Sequence, residues 1–585
     1  MRIIDLIHHF LPAGTDAAYL LDAPTKEALN RPGGIRVDFP NYTLCPIWPP
    51  DLFAVVGTII DRSGCYTEAS PNRNDLEQHE AYIEDVLVIA TCWDSMLSPP
   101  PEVQALWREL VVDHGQVAIS ELSTNQGAIQ TLLKLFAIAD EASIGMGWDA
   151  AASGNALTEF ASVVILNAAQ GSNTRFVLPY WPTSLCGMVS PDVAIVLPKS
   201  ITTTKGCTIR SLSHHLALLP CRSTIEPSWS LVSRLPDPAD TSTDIRLLLV
   251  PFPFYVSEDC FRVSAPKRKL ANNTFYAAFF ELKQKWLRDS KGRVSGTRLA
   301  EELVLPLIEE AKIKAGGAAP HGVVLPECAL SPTVAKQLVE ALASSGVEFI
   351  TTGVLEFDSV NKRWLNQAKT FVIVNPSGAV QLTQSKHHRW RMDKVQTAQY
   401  GLNFDTDPTN DQWWEDIGVT HRTLPFYAIR ADMTMVTLIC EDLARMDPAM
   451  NAIRAVGPNL VIALLMDGPQ RIFRWPGRYS GVLADEPGCA VLTLTCAAMM
   501  DRSNLRHKEE ERLRAVALWS QADGYKKEIE LAKGASGVLL TVTSKSKHQT
   551  TLDNRSDNNL SRELSFKEAL SLHVGSQLAA VHVAH

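Results

Sequence analysis

The stretch that decides the fold is Thr434-Met435-Val436-Thr437-Leu438-Ile439-Cys440-Glu441-Asp442-Leu443. An apolar run of this length that ends in polar residues is typical of a buried β-strand. The cysteine stands where the strand gives way to a turn, and such a turn can present a sulfur atom to a cleft. Most free cysteines are buried as small apolar side chains, so Cys440 by itself predicts no chemistry.

Length and composition indicate a large globular protein. The 585 residues are 46% hydrophobic and 20% charged, which predicts about two to four folded domains. There are 55 basic and 64 acidic residues, for a formal net charge of −9. Proteins that bind nucleic acid over an extended surface are usually basic, so this balance argues against a nucleic-acid partner for the chain alone.

Cysteine usage and the N-terminus predict a cytoplasmic protein. The 11 cysteines include no Cys-x-x-Cys pair, so neither a disulfide framework nor a zinc ribbon is indicated. Residues 1–9 lack the apolar core of a signal peptide, and no apolar run approaches the ~18 residues of a membrane span. The adjacent pairs His8-His9 and His214-His215 have no third ligand at a telling spacing, so no metal site is predicted.

Patterning divides the chain into four parts. Residues 1–225 are expected to form a mixed, helix-rich N-terminal domain that carries no chemical motif. Residues 226–243 are rich in Pro, Ser and Asp and are expected to be a linker. Residues 244–545 are expected to form the second domain, and residues 546–585 a polar C-terminal tail.

Residues 244–545 alternate strand and helix patterns, which predicts an α/β sandwich with mixed sheets. Apolar strand-like runs and helix-period segments follow one another, with a hairpin turn near residue 376. The expected strands are 245–254, 322–327, 347–354, 364–374, 379–382, 433–440, 460–466, 490–495 and 537–542, and the expected helices are 296–315 and 334–344; in the N-terminal domain, helices are expected over 76–96, 126–138 and 157–169, and strands over 175–180 and 192–197.

Three strand ends carry a carboxylate, an ammonium group and a thiol, in that order. They are Glu327 in Val324-Leu325-Pro326-Glu327, Lys386 in Lys386-His387-His388, and Cys440. In this order and placement the motifs resemble those of the nitrilase superfamily, the carbon–nitrogen hydrolases. The resemblance covers residues 244–545 and implies an αββα sandwich.

The resemblance implies a Glu-Lys-Cys catalytic triad. Cys440 would be the nucleophile, and Glu327 would be the base that takes its proton. Lys386 would stabilise the oxyanion of the tetrahedral intermediate, with the backbone N–H of Glu441 as a second donor. The activity implied is cleavage of a non-peptide C–N bond of a small amide through a thioester, without a metal or other cofactor.

Two features around the triad are left open by the sequence. Many family members have a second glutamate that orients the lysine, and Glu415 is the only Glu between Lys386 and Cys440. Arg389, with Arg391 and Lys394 nearby, could hold a carboxylate or phosphate of the substrate, and Glu415 could also contact the substrate. The other acids in the interval that could orient the lysine are Asp393, Asp405, Asp407, Asp411, Asp416 and Asp432.

The family also implies partners and rival functions. Its members commonly form dimers or higher oligomers, so a homo-oligomer is expected. The Cys-Glu-Asp sequence looks like that of the glutamine-hydrolysing domains of NAD synthetases, although no synthetase segment follows.

One rival to the hydrolase function is an acyltransferase. Another is a regulatory or antiviral-defence protein that uses the scaffold for ligand sensing, with a protein partner bound through residues 1–225; a filled pocket or a misplaced triad would favour it.

Overall fold

The computed structural model describes residues 1–11, 45–46, 48–69, 75–94, 99–146, 180, 182–200, 202, 206–221, 225–231, 243–265, 268–269, 275–276, 278–375, 378–404, 410–430, 433–576 and 578. The chain divides into two compact units. The first contains Met1–Leu231, Met450–Pro458 and Ser546–Arg562, and the second contains Val232–Ala449, Asn459–Lys545 and Glu563–His585. Among the described residues, no helix is both long and apolar enough to cross a membrane.

The first unit is helix-rich, with a small antiparallel hairpin. Leu76–Asp94 and Gln126–Glu141 confirm two of the expected helices, and the expected strand near residue 194 is present. The expected helix over 157–169, and the expected strand over 175–180 apart from its last residue, lie outside the described residues. The helices are Ile3–Phe10, Pro49–Ser63, Leu76–Asp94, Pro101–Val112, Gln126–Glu141 and Met450–Val456, the 3₁₀ turns are Cys65–Glu68, Ile119–Thr124 and Ile209–Leu212, and the strands are β1 (Ala194–Pro198), β2 (Leu216–Pro220) and β3 (Glu226–Leu231).

A buried arginine, Arg555, holds residues 546–562 against the rest of the first unit. The Arg555 guanidinium is 1% exposed and donates to Asp140 at 3.2 Å, to Asp553 at 3.0 Å and to Glu141. Asp140 also accepts the backbone amide of His214 at 2.7 Å. Because buried charges are stable only when they are paired, these carboxylates and Arg555 depend on one another.

The second unit contains most of the strands. Its long helical segment covers the expected range 296–315, with a π-helical turn in the middle. Its strands are β4 (Asp244–Leu249), β5 (Phe261–Ala265), β6 (Arg268–Lys269), β7 (Phe275–Tyr276), β8 (Ala278–Leu282), β9 (Arg288–Asp289), β10 (Gly292–Arg293), β11 (Gly322–Val324), β12 (Phe349–Asp358), β13 (Arg363–Asn375), β14 (Gly378–Ser385), β15 (Arg391–Asp393), β16 (Gln412–Glu415), β17 (Thr423–Arg430), β18 (Met433–Ile439), β19 (Leu460–Leu464), β20 (Ala490–Leu494), β21 (Ala515–Ser520), β22 (Lys526–Glu530), β23 (Gly537–Lys547) and β24 (Ser561–Leu572), and its helices are Gly296–Leu299, Ala300–Val304, Leu305–Lys314, Pro332–Leu342, Lys394–Gln399, Trp475–Asp485 and Ala497–Ser503, with 3₁₀ turns at Glu258–Cys260, Lys285–Leu287, Cys440–Ala444 and Glu509–Glu511.

Two mixed sheets form the centre of the second unit. The first has the strand order β14-β13-β12-β11-β4-β23-β24, and the second contains β22-β21-β20-β19-β18-β17. Each sheet has a parallel centre of three strands, β4, β11 and β12 in one and β18, β19 and β20 in the other, flanked by antiparallel strands. A smaller sheet, β15-β16-β8-β5, accompanies them.

The two sheets pack face to face around one apolar core. Residues such as Leu247 and Val323 of the first sheet and Ile462 of the second belong to the same buried cluster. Hydroxyl bonds also join the sheets, with Tyr427 Oη 2.7 Å from Thr370 Oγ1. Helices such as Pro332–Leu342 and Trp475–Asp485 contact the sheets, and the expected α/β sandwich of αββα type is confirmed.

Two of the expected boundaries differ from the structure. The expected linker 226–243 begins with a strand, β3, while residues 232–242 lie outside the described residues. The expected polar tail 546–585 instead contributes residues 546–562 to the first unit and strand β24 to the first sheet. The polar composition of these residues predicted an exposed tail. Arg555 is nevertheless buried, because its acidic partners balance its charge.

We expect Arg555→Met to destabilise the first unit by about 3–5 kcal/mol, because it leaves buried carboxylates without a counter-charge. Hydrogen exchange of the Gln126–Glu141 helix amides in the full chain measures this loss. The matched control is Lys134→Met, which removes an exposed ion pair with Asp85 in the same unit and should cost about 1 kcal/mol or less. Equal protection in the two variants would contradict the account.

Candidate active site

The three predicted triad residues lie at strand ends of the two central sheets. Glu327 follows β11, Lys386 follows β14 of the same sheet, and Cys440 follows β18 of the other. Their exposed fractions are 3%, 1% and 3%. In open sheets with parallel strands, ligand sites form at the carboxyl ends of the strands, and here the centres of both sheets contribute such ends.

Lys386 lies between two carboxylates. Its Nζ donates to Glu327 Oε1 at 2.8 Å and to Glu415 Oε2 at 2.7 Å. The Asn366 side-chain amide, on the neighbouring strand β13, donates to Glu327 Oε1 at 2.7 Å and to Glu415 Oε1 at 3.0 Å. Glu327 Oε2 is buried without a hydrogen-bond partner among the described residues, so one oxygen of this carboxylate is held and the other remains available.

Burial and charge set the protonation of the site. Burial raises the pKa of Glu327, and the Lys386 charge opposes that shift. Burial alone would lower the pKa of Lys386, but the charges of Glu327 and Glu415 raise it well above its ordinary value. Burial raises the pKa of Cys440, the charge of Glu327 adds to this, and Lys386 acts in the opposite direction. Cys440 is therefore favoured as a thiol, beside a lysine that keeps its charge.

Cys440 lies at the start of a tight turn. Its φ of 47° is in the left-handed region, which non-glycine residues adopt at a cost of order 1–3 kcal/mol and which is concentrated at functional sites. The 3₁₀ turn Cys440–Ala444 begins here, and the first amides of a helical turn have no partner within it. The predicted donor, the Glu441 amide, occupies this position, while the Glu441 carboxylate accepts from Arg445.

Asp442 joins the turn that begins at Cys440 to the turn that follows Lys386. Its buried carboxylate accepts the backbone amides of His387 at 3.0 Å and His388 at 2.9 Å, and lies 2.9 Å from His388 Nδ1. These bonds fix the segment directly after Lys386 to the segment directly after Cys440. Asp442 is therefore a positioning residue that keeps the ends of the two sheets in register.

Among the described acids of this interval, the structure favours Glu415 as the acid that orients the lysine. Asp405, Asp407 and Asp432 lie outside the described residues. The Glu415 carboxylate accepts from Lys386, from Asn366 and from the Trp390 amide at 3.0 Å, so its oxygens are engaged within the protein. Arg389 donates to the Glu415 carbonyl at 2.8 Å and lies 5.6 Å from the Phe279 ring centroid. The substrate-binding role suggested for Arg389 stays a prediction.

Sequence reasoning missed Asn366, Asp442 and Gly353. Asn366 lies in strand β13, whose polar and apolar residues do not alternate, so no local pattern separates a buried amide from an exposed one. Asp442 lies within the stretch quoted at the start, but its partners lie in another turn. Gly353, in β12, packs against the end of β11: a Cβ there would lie 2.4 Å from Pro326 O and 2.5 Å from Glu327 Cα.

We expect Gly353→Ala to lower kcat/KM on an amide substrate by about 10²-fold or more, because small displacements of a catalytic group have effects of that size. The backbone of Glu327 must move to admit the methyl group. Steady-state kinetics, with a thermal melt to confirm folding, measure the effect. The control is Gly575→Ala, where a Cβ meets nothing within 4 Å; a Gly353→Ala enzyme as active as this control would contradict the assigned packing.

Comparison with solved structures finds proteins of the nitrilase superfamily. Nit3 of Saccharomyces cerevisiae is 13% identical, with a TM-score of 0.27, over 48% of this chain and 84% of Nit3. An amidase of Nesterenkonia AN1 is 10% identical, with a TM-score of 0.29, over 51% of this chain and 89% of the amidase. A glutamine-dependent NAD⁺ synthetase of Acinetobacter baumannii is 10% identical, with a TM-score of 0.29, over 57% of this chain and 49% of the synthetase.

No protein-family model and no curated protein sequence matches the chain. The solved structures named above are distant in sequence and similar over only part of the chain. The superfamily of Nit3 and of the amidase is the one that the motifs of Glu327, Lys386 and Cys440 resemble in order and placement. With TM-scores below 0.5, these structures carry no argument about activity. The case for a function therefore rests on the site of this chain.

Proposed function

We propose that the chain is a cysteine-dependent amidohydrolase of the nitrilase type, which cleaves a non-peptide C–N bond of a small amide. The observation that carries this proposal is that the two carboxylate oxygens of Glu327 have different environments. Its Oε1 is held by Lys386 and Asn366, while its Oε2 is buried and free of hydrogen bonds among the described residues. Such an oxygen is available to accept and return a proton, which supports a role as the base.

In the first step, Glu327 Oε2 takes the thiol proton while Cys440 Sγ attacks the carbonyl carbon of the amide. Burial raises the pKa values of both groups, so the proton moves between partners that are both weak acids in this site. Proton transfer therefore accompanies the attack instead of preceding it, and a free thiolate need not accumulate.

The carbonyl oxygen becomes an oxyanion that Lys386 stabilises. An ammonium group has three N–H donors, and two of those of Lys386 are directed to Glu327 and Glu415. The third is available for the oxyanion, and the Glu441 amide supplies a second donor. Fixed donors of this kind need no reorganisation when the negative charge develops.

Collapse of the intermediate breaks the C–N bond and leaves a thioester on Cys440. Glu327 returns its proton to the departing nitrogen, which leaves as ammonia or an amine. The carboxylate then takes a proton from water, which attacks the thioester and releases the acid. The proton passes from Glu327 back to the sulfur, so the thiol is regenerated and each step balances.

We expect Cys440→Ala to abolish release of ammonia from a panel of small amides, with a stability cost of about 1 kcal/mol. Glu327→Gln should lower kcat by on the order of 10²–10⁴ because it removes the base but keeps the nucleophile. Lys386→Met should also be inactive, since the oxyanion loses its charged donor. An ammonia assay on variants that retain a wild-type melting profile measures all three.

Two matched controls separate the loss of a catalytic group from the loss of any buried thiol or lysine. Cys489→Ala removes another buried thiol, and Lys369→Met removes another buried lysine, whose partner Glu356 lies 2.7 Å away. Both controls should keep wild-type kcat/KM within a few-fold. If Cys440→Ala hydrolyses amides as well as Cys489→Ala does, the hydrolase proposal is wrong and the scaffold serves binding instead.

A further inference from the structure

Asp467 lies at the end of the strand beside the nucleophile strand. Strands β18 and β19 are parallel, with Ile439 paired to Leu464, so the residues that follow each strand emerge at the same edge of the sheet. Cys440 follows β18 and Asp467 follows β19. The charge of Asp467 is among those that raise the pKa of the Cys440 thiol, and none of the catalytic steps above uses this carboxylate.

The surrounding protein holds Asp467 rigidly by its backbone and by one oxygen. Thr495 Oγ1 accepts the Asp467 amide at 3.0 Å and donates to its carbonyl at 2.5 Å. Asp467 Oδ1 accepts from Tyr400 Oη at 2.6 Å and from the Arg474 guanidinium at 3.1 Å.

The other carboxylate oxygen of Asp467, Oδ2, accepts no hydrogen bond from the described residues. The residue is 6% exposed, and Oδ2 itself is buried. A buried carboxylate oxygen without a partner is costly, and a second negative charge near the nucleophile opposes both a thiolate and an oxyanion. A substrate that donates to Oδ2 would remove the first cost, and a positively charged donor would add to Arg474 in reducing the second.

We propose that Asp467 Oδ2 binds a primary ammonium group of the substrate, so that the preferred amides carry a protonated amine close to the amide carbon. This inference rests on the proposed hydrolase function, whose substrate class it specifies. Asp467 would then determine substrate specificity. A bound ammonium group would also offset the negative charge of Asp467, which opposes the attack of Cys440 on the amide.

The geometry favours an ammonium group over a guanidinium group. A guanidinium group binds carboxylates best through two parallel bonds, one to each oxygen. Here Oδ1 already receives two donors, from Tyr400 and Arg474, so a substrate can reach only Oδ2. A compact ammonium group needs only one such oxygen. A neutral donor could form the same bond, but it would add no positive charge to that of Arg474, which already pairs with this carboxylate.

The inference can be tested without knowing the natural substrate. Cys440 is labelled with 2-aminoethyl methanethiosulfonate, which is cationic, and with the neutral 2-hydroxyethyl reagent of similar size; peptide mass mapping gives the rate at Cys440 for each. We expect the cation-to-neutral rate ratio to fall by about tenfold in Asp467→Asn, because the Asp467 charge acts on Cys440 and opposite charges attract strongly in a buried site. Arg474→Gln should raise the ratio, since it removes the competing cation.

The control is Glu340→Gln, which removes an exposed acid from the helix Pro332–Leu342 and should leave the ratio unchanged. Asp467→Asn keeps an oxygen for Tyr400, and a thermal melt confirms that the variants fold. A ratio in Asp467→Asn within twofold of wild type would overturn the inference, as would failure of both reagents to label Cys440.

A second readout separates this inference from the proposed function. Glycinamide and propionamide differ chiefly in an ammonium group that replaces a methyl group, and the wild type should prefer glycinamide by kcat/KM. Cys440-dependent hydrolysis without that preference would refute the ammonium site but keep the hydrolase. A labelling ratio that depends on Asp467 in a protein that hydrolyses neither amide would refute the hydrolase but keep the cation site.

Discussion

The buried ammonium group of Lys386, held between Glu327 and Glu415, is the interaction on which the site depends. A lone charge at this depth would be too costly, so the lysine requires both carboxylates and they require it. Asn366 joins the same two carboxylates from the neighbouring strand. The result is a polar network in which the lysine keeps its charge and in which, among the described residues, one oxygen of Glu327 has no hydrogen-bond partner.

The sandwich explains how such a network can be built. The centres of both sheets are parallel, so strands of each sheet deliver their carboxyl ends, with Glu327 from one and Cys440 from the other. Polar bonds keep the sheets in register at depth, since Thr437 Oγ1 donates to Gln384 at 2.8 Å and Asp442 fixes the turn that follows Lys386. Apolar packing alone resists sliding poorly, whereas directional bonds between sheets define one alignment.

Much of this arrangement could be predicted from the sequence because it is local. The apolar run that ends at Cys440, the strand that ends at Glu327 and the hairpin before Lys386 each show their own pattern, and the family resemblance supplied their order. Glu415 could be named only as one of several acids. Asn366, Gly353 and Asp467 matter through neighbours distant in the chain, and Arg555 is buried by acids on a helix far upstream. The periodicity of apolar residues along the sequence does not reveal contacts between residues that are distant in the chain.

The most direct test of the central claim is to look for the acyl-enzyme. The wild-type protein is mixed with small amides, quenched in acid within milliseconds to seconds and digested, and the Cys440 peptide is weighed. The account predicts an added acyl mass on Cys440 that appears before the acid product and is much reduced in Glu327→Gln. Hydrolysis that proceeds with no acyl mass on Cys440, or an adduct that forms equally fast without the Glu327 carboxylate, would contradict it.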